Sequence, residues 1–155
     1  MRIVLQRVAS AGVTIDGGET RSIGKGLLLL VGICPEDNEK TVAFMAEKSA
    51  NLRIFTDEND AMNLSLLDVG GDAMVISNFT LYANSRKGRR PSFTEAAPPT
   101  HAEPLYRTFV EAMRQTGVQS VATGEFGADM QVSLVNDGPV TIILDSDEIM
   151  PANKK

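Results

Sequence analysis

Three apolar segments open the chain in a two-residue rhythm. IVLQRV from Ile3, VTIDGGETRSI from Val13 and GLLLLVGI from Gly26 read as strands, since successive strand side chains face opposite ways and one face is buried. Asp16, Gly17 and Gly18 supply a tight turn, and Gly24 and Gly26 mark entry to the third strand. Leu27 to Val31 is apolar at every position, which predicts a central strand covered on both sides.

After CPEDNEK the rhythm changes. Val42, Met45, Ala46 and Leu52 fall near one face at helical spacing, with Glu36, Asp37 and Glu39 near the positive helix start, and predict a helix over Glu39 to Asn51. NLRIF reads as a short strand, TDENDAMN as a polar turn, and AMVISNFTLYA as a buried strand beginning near Ala73. A polar, proline-marked stretch from Asn84 to Pro99 follows, long enough in a compact domain to suggest a task of its own. Thr100, His101, Ala102 and Glu103 have capping-box spacing, but Pro104 opposes a regular first turn. Leu105 to Thr116 is helical in spacing and Gly117 ends it.

The last third returns to strands. QVSLV and VTIIL read as neighbours, and Asp137-Gly138 between them is a hairpin signal, yet Pro139 removes a backbone donor where a returning strand would begin to pair. Something other than a plain hairpin is implied. The end, from about residue 147, is expected to fray.

The order predicts one α+β domain over 1–155, with mixed or antiparallel sheet and about two main helices; strands and helices do not alternate as a doubly wound nucleotide fold requires. At 155 residues the chain buries enough surface to stand without a disulfide or metal, and a single Cys34 cannot form an internal bridge. No run approaches the roughly 20 apolar residues of a membrane span, and no secretory signal opens the chain, so a cytoplasmic protein that engages no membrane is expected. The net charge of -5 opposes a protein that coats nucleic acid, while leaving room for a local basic patch that holds one end of it.

Standard catalytic sets are missing from the sequence. One histidine, no cysteine pair and no phosphate loop, HExxH or serine elbow leave metal catalysis and a Ser-His-Asp triad without their parts, and no metal or cofactor is expected. His101 reads as a surface or capping residue before a general base, and Cys34 as a small buried hydrophobe. Arg86, Lys87, Arg89 and Arg90 around Gly88 read equally as a solvated loop or a phosphate contact. Ser77 to Leu81, SNFTL, and Asn136 to Thr141, NDGPVT, carry hydroxyls and amides but no strong base.

These two motifs, with QRV at Gln6 to Val8, RRPSF at Arg89 to Phe93 and ADMQVSLVNDGPVT, make the chain closely resemble the D-aminoacyl-tRNA deacylases, the D-tyrosyl-tRNA(Tyr) deacylase family, over essentially its whole length. NDGPVT matches the family motif NxGPVT completely. SNFTL departs from SQFTL at one place, where Asn78 keeps the amide but is one methylene shorter than glutamine.

The resemblance implies a barrel-like curled sheet and a homodimer that hydrolyses the ester joining a D-amino acid to the 3′ end of tRNA. It implies a cis Gly138-Pro139 peptide inserted into the partner's active site, where its carbonyl oxygens meet the substrate's ammonium group, with Asn136 and Arg7 in the substrate-binding set and Arg7 orienting the motif. L-amino acids would be rejected by collision, and glycine would be tolerated. Ser77, Asn78, Phe79 and Thr80 are the implied catalytic segment, with the terminal 2′-hydroxyl of the tRNA assisting and Thr80 positioning rather than attacking, since no His or Lys in its motif activates it. Arg86, Lys87, Arg89, Arg90 and Phe93 are the implied tRNA contacts. The alternative from another class is a non-catalytic RNA-end-binding or dimerisation module of the same fold.

Overall fold

The computed structural model describes residues 1–152. Its backbone runs β1 (Arg2–Ile15), β2 (Thr20–Ile23), β3 (Gly26–Gly32), α1 (Glu39–Asn51), β4 (Phe55–Thr56), β5 (Met62–Leu64), α2 (Leu66–Val69) and β6 (Asp72–Ser77). A 3-10 turn at Phe79–Tyr82, α3 (Pro99–Gln115), β7 (Val121–Thr123), β8 (Met130–Asp145) and α4 (Ser146–Ile149) complete it.

Six strands form one mixed sheet in the order β2-β1-β3-β6-β7, with β8 on the other edge of β1. β3-β6 and β6-β7 are parallel and the pairings of β1 are antiparallel. The sheet curls towards closure, and Arg21 on β2 donates across the gap to the carbonyls of Thr123 and Gly124 at 2.9 and 3.2 Å. This is the α+β fold with a barrel-like sheet and two main helices, α1 and α3.

Two cores explain the apolar run in β3. Leu27, Leu29 and Val31 pack towards α1 and α3 with Val42, Met45, Phe109 and Met113, whereas Leu28 faces the inside of the curl with Val8, Val13, Met74 and Ile76. Neighbouring β6 splits the same way, Ala73 and Val75 outward to the helices and Met74 and Ile76 inward. Two-residue alternation thus serves two apolar environments at once.

Several elements differ from the sequence expectation. The first two predicted strands are largely one, because β1 continues from Arg2 to Ile15; its buried residues face the helices at Ile3 and Leu5 and the inside of the curl from Val8 onward. Register irregularities between Gln6 and Ser10 occupy that interval, as expected where a strand must bend. β5 claims the end of the predicted polar turn, and the short α2 is built on a Ser65–Asp68 capping box that the apolar pattern did not reveal. The strand predicted through SNFTL stops at Ser77.

α3 starts earlier than its spacing indicated, with Pro98 as N-cap and Pro99 in the first position, where a missing N–H costs nothing; the Thr100–Glu103 capping box is not formed. The end expected to fray from about residue 147 is described as far as residue 152. Residues 146–149 are helical with Asp145 capping the Asp147 N–H, Ser146 Oγ accepts from the Met1 ammonium at 2.7 Å, and Met150 is buried. Residues 153–155 lie outside the described residues.

The largest correction concerns the end of the sheet. QVSLV and VTIIL do not pair with each other, since both belong to β8 and both pair with β1. Val8 faces Asn136 and Gln6 faces Thr141, so two residue steps on β1 oppose five on β8. Arg7 alone lies opposite the four residues Asp137 to Val140, which bow out of the sheet. Among the described residues no helix is long and apolar enough to cross a membrane.

Candidate active site

Where β3 and β6 end side by side, the chain leaves the sheet and opens a cavity of about 530 Å³. Ser77, Asn78 and Phe79 form one wall, Val31 and Ile33 the sheet side, and Phe93 with Ala96 to Pro99 the opposite wall. Ala102 on α3, Phe126 and Ala128 from the β7–β8 connection and Met130 at the start of β8 close it. The lining is mainly apolar with a few amide and hydroxyl groups, the usual character of a small-ligand site.

The Asn78 N–H donates to Val31 O at 2.8 Å, which continues the parallel pairing one step beyond β6 before the 3-10 turn begins. That bond holds Ser77 and Asn78 at the cavity. Phe79 then projects outward, 57% exposed, and meets Phe93 edge to face, with ring centroids 5.3 Å apart and planes at 76°. The pair forms an aromatic rim of the sort that suits a flat base. Thr80 is absent from the described walls. Its hydroxyl donates to Asn78 Oδ1 instead.

Behind the turn, Arg2 donates to Leu81 O at 2.8 Å and to Asp145 Oδ2 through two nitrogens, and lies 4.8 Å from the centre of the Tyr82 ring. Burial by itself would raise the Asp145 carboxyl, but the Asp147 N–H and Arg2 outweigh it and hold it below the usual aspartate range. Burial pushes the Tyr82 phenol and the Cys34 thiol up, so both keep their protons at neutral pH. Cys34 is buried, as expected of a small hydrophobe.

The basic run is presented by a small hairpin. Asn84 and Ser92 exchange backbone hydrogen bonds of 2.8 and 2.9 Å, and Asn84 Nδ2 reaches Glu95 Oε1 at 2.9 Å. Arg86, Lys87, Arg89 and Arg90 are all exposed on its tip, with Gly88 taking the left-handed turn at φ 65°. Phe93 follows Ser92 at the base of this hairpin, so the cations and the aromatic rim belong to one loop. His101 Nε2 donates to Asp37 O at 3.0 Å and so anchors the start of α3.

A second assembly lies on β8. The Gly138-Pro139 peptide is cis, and both residues are exposed. Asn136 ties the base of the bow: its Oδ1 accepts from the Val140 N–H at 2.7 Å, and its Nδ2 lies 3.1 to 3.2 Å from Val140 O, Thr141 Oγ1 and Gln6 Oε1. Arg7, nearly buried, donates from Nε to Asp137 O at 2.8 Å and from an η nitrogen to Ile54 O at 2.7 Å. Two backbone carbonyls thus fix one guanidinium, and the guanidinium fixes the bow.

Within the chain the two assemblies are separate. Ser77, Asn78, Phe79 and Phe93 meet at the cavity, whereas Gly138 and Pro139 are absent from its described walls.

A family model for D-Tyr-tRNA(Tyr) deacylase matches residues 4–145. The chain belongs to that family. A D-aminoacyl-tRNA deacylase of Thermomicrobium roseum is 61% identical over 149 residues, covering 96% of each chain. Another, of Thermosipho africanus, is 54% identical and covers 96% of this chain and 99% of its own. A solved structure of a c-Myc DNA Unwinding Element Binding Protein is 42% identical with a TM-score of 0.88, covering 94% of this chain and 99% of that one.

For this family member, sequence reasoning missed much of the cavity wall. Ala102 and the Phe126–Met130 stretch are far in the chain from SNFTL and carry no reactive group, so only the fold brings them together. Gln6 and Ile54 escaped for a related reason, since Ile54 acts through its backbone carbonyl and Gln6 through its register opposite Thr141.

Proposed function

We propose that this protein hydrolyses the ester of D-aminoacyl-tRNA, releasing a free D-amino acid and tRNA, as a homodimer in the cytoplasm. Water adds to the ester carbonyl, the bond to the terminal ribose oxygen breaks, and that oxygen leaves with a proton. The terminal adenosine occupies the apolar cavity behind the Phe79–Phe93 rim, and the ester lies against Ser77, Asn78 and Phe79. The 2′-hydroxyl of the same ribose assists, which fits a site whose walls hold amides and hydroxyls but no titrating base.

Gly138 and Pro139 of one protomer enter the cavity of the other and present carbonyl oxygens to the α-ammonium group. With ammonium and ester both held, D and L substrates differ in where side chain and α-hydrogen point, so a wall on the L side excludes L-amino acids by collision. Glycine has nothing to exclude and is hydrolysed too. Asn136 and Arg7 keep the bow in place, and Arg86, Lys87, Arg89 and Arg90 contact phosphates near the RNA end. A grip on one end needs few phosphates and is compatible with a net charge of -5.

The observation that carries this reading is a bow stapled by four side-chain contacts of Asn136 yet standing free of its own chain's cavity. Such an investment in an exposed tip calls for a recipient. β8 also exposes Val135 at 57% and Ile143 at 68%, apolar surface suited to a second copy.

Release of D-tyrosine, L-tyrosine and glycine from their charged tRNAs tests the activity. Fast D and glycine release with slow L release is expected; tRNA binding without release of any would favour the non-catalytic module, for which the Asn78 departure speaks. Sedimentation tests the assembly, since a fully active monomer at micromolar concentration would contradict insertion across subunits.

A further inference from the structure

The SNFTL segment contains a side-chain pair internal to the motif. Asn78 immediately precedes the 3-10 turn, a position where an asparagine oxygen normally accepts a backbone N–H from the first turn, but no such cap is made here. Asn78 Oδ1 accepts from the Thr80 hydroxyl instead. Asn78 is on the cavity wall and Thr80 is not.

We infer that Thr80 is a positioning residue that acts through Asn78. Its hydroxyl proton is spent on the carboxamide oxygen, which fixes the rotation of the amide and leaves the NH2 end as the part free to face the cavity. A carboxamide without that contact would turn about its last bond, since such torsions are broad. The short reach of asparagine makes the pair possible, as the side chain stays close enough to the turn to meet the residue two positions on. The inference rests on the deacylase reading, in which the Asn78 NH2 group donates to the acyl oxygen of the ester.

Four variants separate this from a reacting Thr80: Thr80→Val, Thr80→Ser, Asn78→Asp, which keeps an acceptor for Thr80 but loses the donor, and Thr80→Val with Asn78→Asp together. With D-tyrosyl-tRNA, Thr80→Val is expected to lower kcat about tenfold with KM unchanged, less than the roughly hundredfold that follows outright removal of an oriented donor. Thr80→Ser should recover most of that loss. Asn78→Asp should lose more, and adding Thr80→Val to it should cost little further, because the group that Thr80 orients is already gone. Losses that multiply in the double variant, or near-complete inactivity of Thr80→Val alone, would overturn the inference.

A readout independent of turnover is the Asn78 carboxamide proton pair in the NMR spectrum, assigned by its disappearance in Asn78→Asp. It should shift in Thr80→Val and stay in place in Thr80→Ser. An unchanged pair in Thr80→Val would overturn the coupling. Wild-type protein that releases no D-tyrosine would overturn the deacylase reading, while the carboxamide pair still decides whether Thr80 holds Asn78.

Discussion

Asn136 and Val140 bind each other twice across the base of the β8 bow. The Val140 N–H donates to Asn136 Oδ1 at 2.7 Å and Asn136 Nδ2 lies 3.1 Å from Val140 O. A side chain here plays the part that a neighbouring strand would play, closing the gap that three surplus residues open opposite Arg7.

Asn136→Ala removes that closure and leaves the N–H and carbonyl of the nearly buried Val140 without their partner. A loss of about 1–3 kcal/mol in stability is expected, the usual cost of stranded buried polar groups. Deacylation should fall further than stability alone accounts for, since the bow also loses its shape. Denaturant midpoints and single-turnover rates on the same preparation check both parts.

Gly138 leaves no room for a side chain. A Cβ there would sit 2.6 Å from Val140 N and 2.7 Å from Val140 Cγ2, and backbone atoms cannot yield as a flexible side-chain end can. Gly138→Ala should therefore move the bow while leaving the two cores intact. The expected result is a folded protein with near-normal melting temperature whose ratio of D-tyrosine to L-tyrosine release has dropped; a wild-type ratio would separate the bow from chiral selection.

The exposed cations at the hairpin tip predict a salt effect. For single-stranded nucleic acid each phosphate contact contributes about 0.7 to the slope of log affinity against log salt. Arg89→Ala with Arg90→Ala should weaken tRNA binding at low salt and flatten that slope by up to twice the single-contact amount. Filter binding at several salt concentrations measures it, and an unchanged slope would make the hairpin a solvated loop.

Asp145 sets a pH dependence whose sign is determined by its lowered pKa. The folded state prefers the ionised carboxylate, so the contribution of Asp145 is full above the unfolded aspartate value of about 3.9 and is lost as pH falls through the lower folded value. Wild type should accordingly exceed Asp145→Asn in stability at neutral pH, and the difference should close below about pH 4. Chemical denaturation of both proteins from pH 7 to pH 3 gives the curve.

Local pattern carried much of this fold. Leu27 to Val31 reads as a doubly covered strand because its neighbours on both faces are apolar in any compact arrangement, and α1 lies where the spacing of Val42, Met45 and Ala46 put it. The two motifs were equally legible, and with them the family, since NDGPVT and SNFTL are specific as words whatever surrounds them.

Long-range pairing decided the rest. Asp137-Gly138 signals a hairpin only while its flanking segments have no better partner; β1 runs long enough to pair with both, so the Gly-Pro step became a bow in one strand. The Thr80 to Asn78 hydrogen bond required β6 to end at Ser77 and a tight turn to follow, and neither is encoded in alternation. The cavity needed Phe93, Ala102 and the pair Phe126 and Met130 to converge from three separate stretches of chain. Periodicity is a property of neighbours in sequence and fixes which face of an element is apolar. Which strand takes which edge, and what side chains then meet, depends on backbone groups that every residue shares, so only the folded chain could assign them.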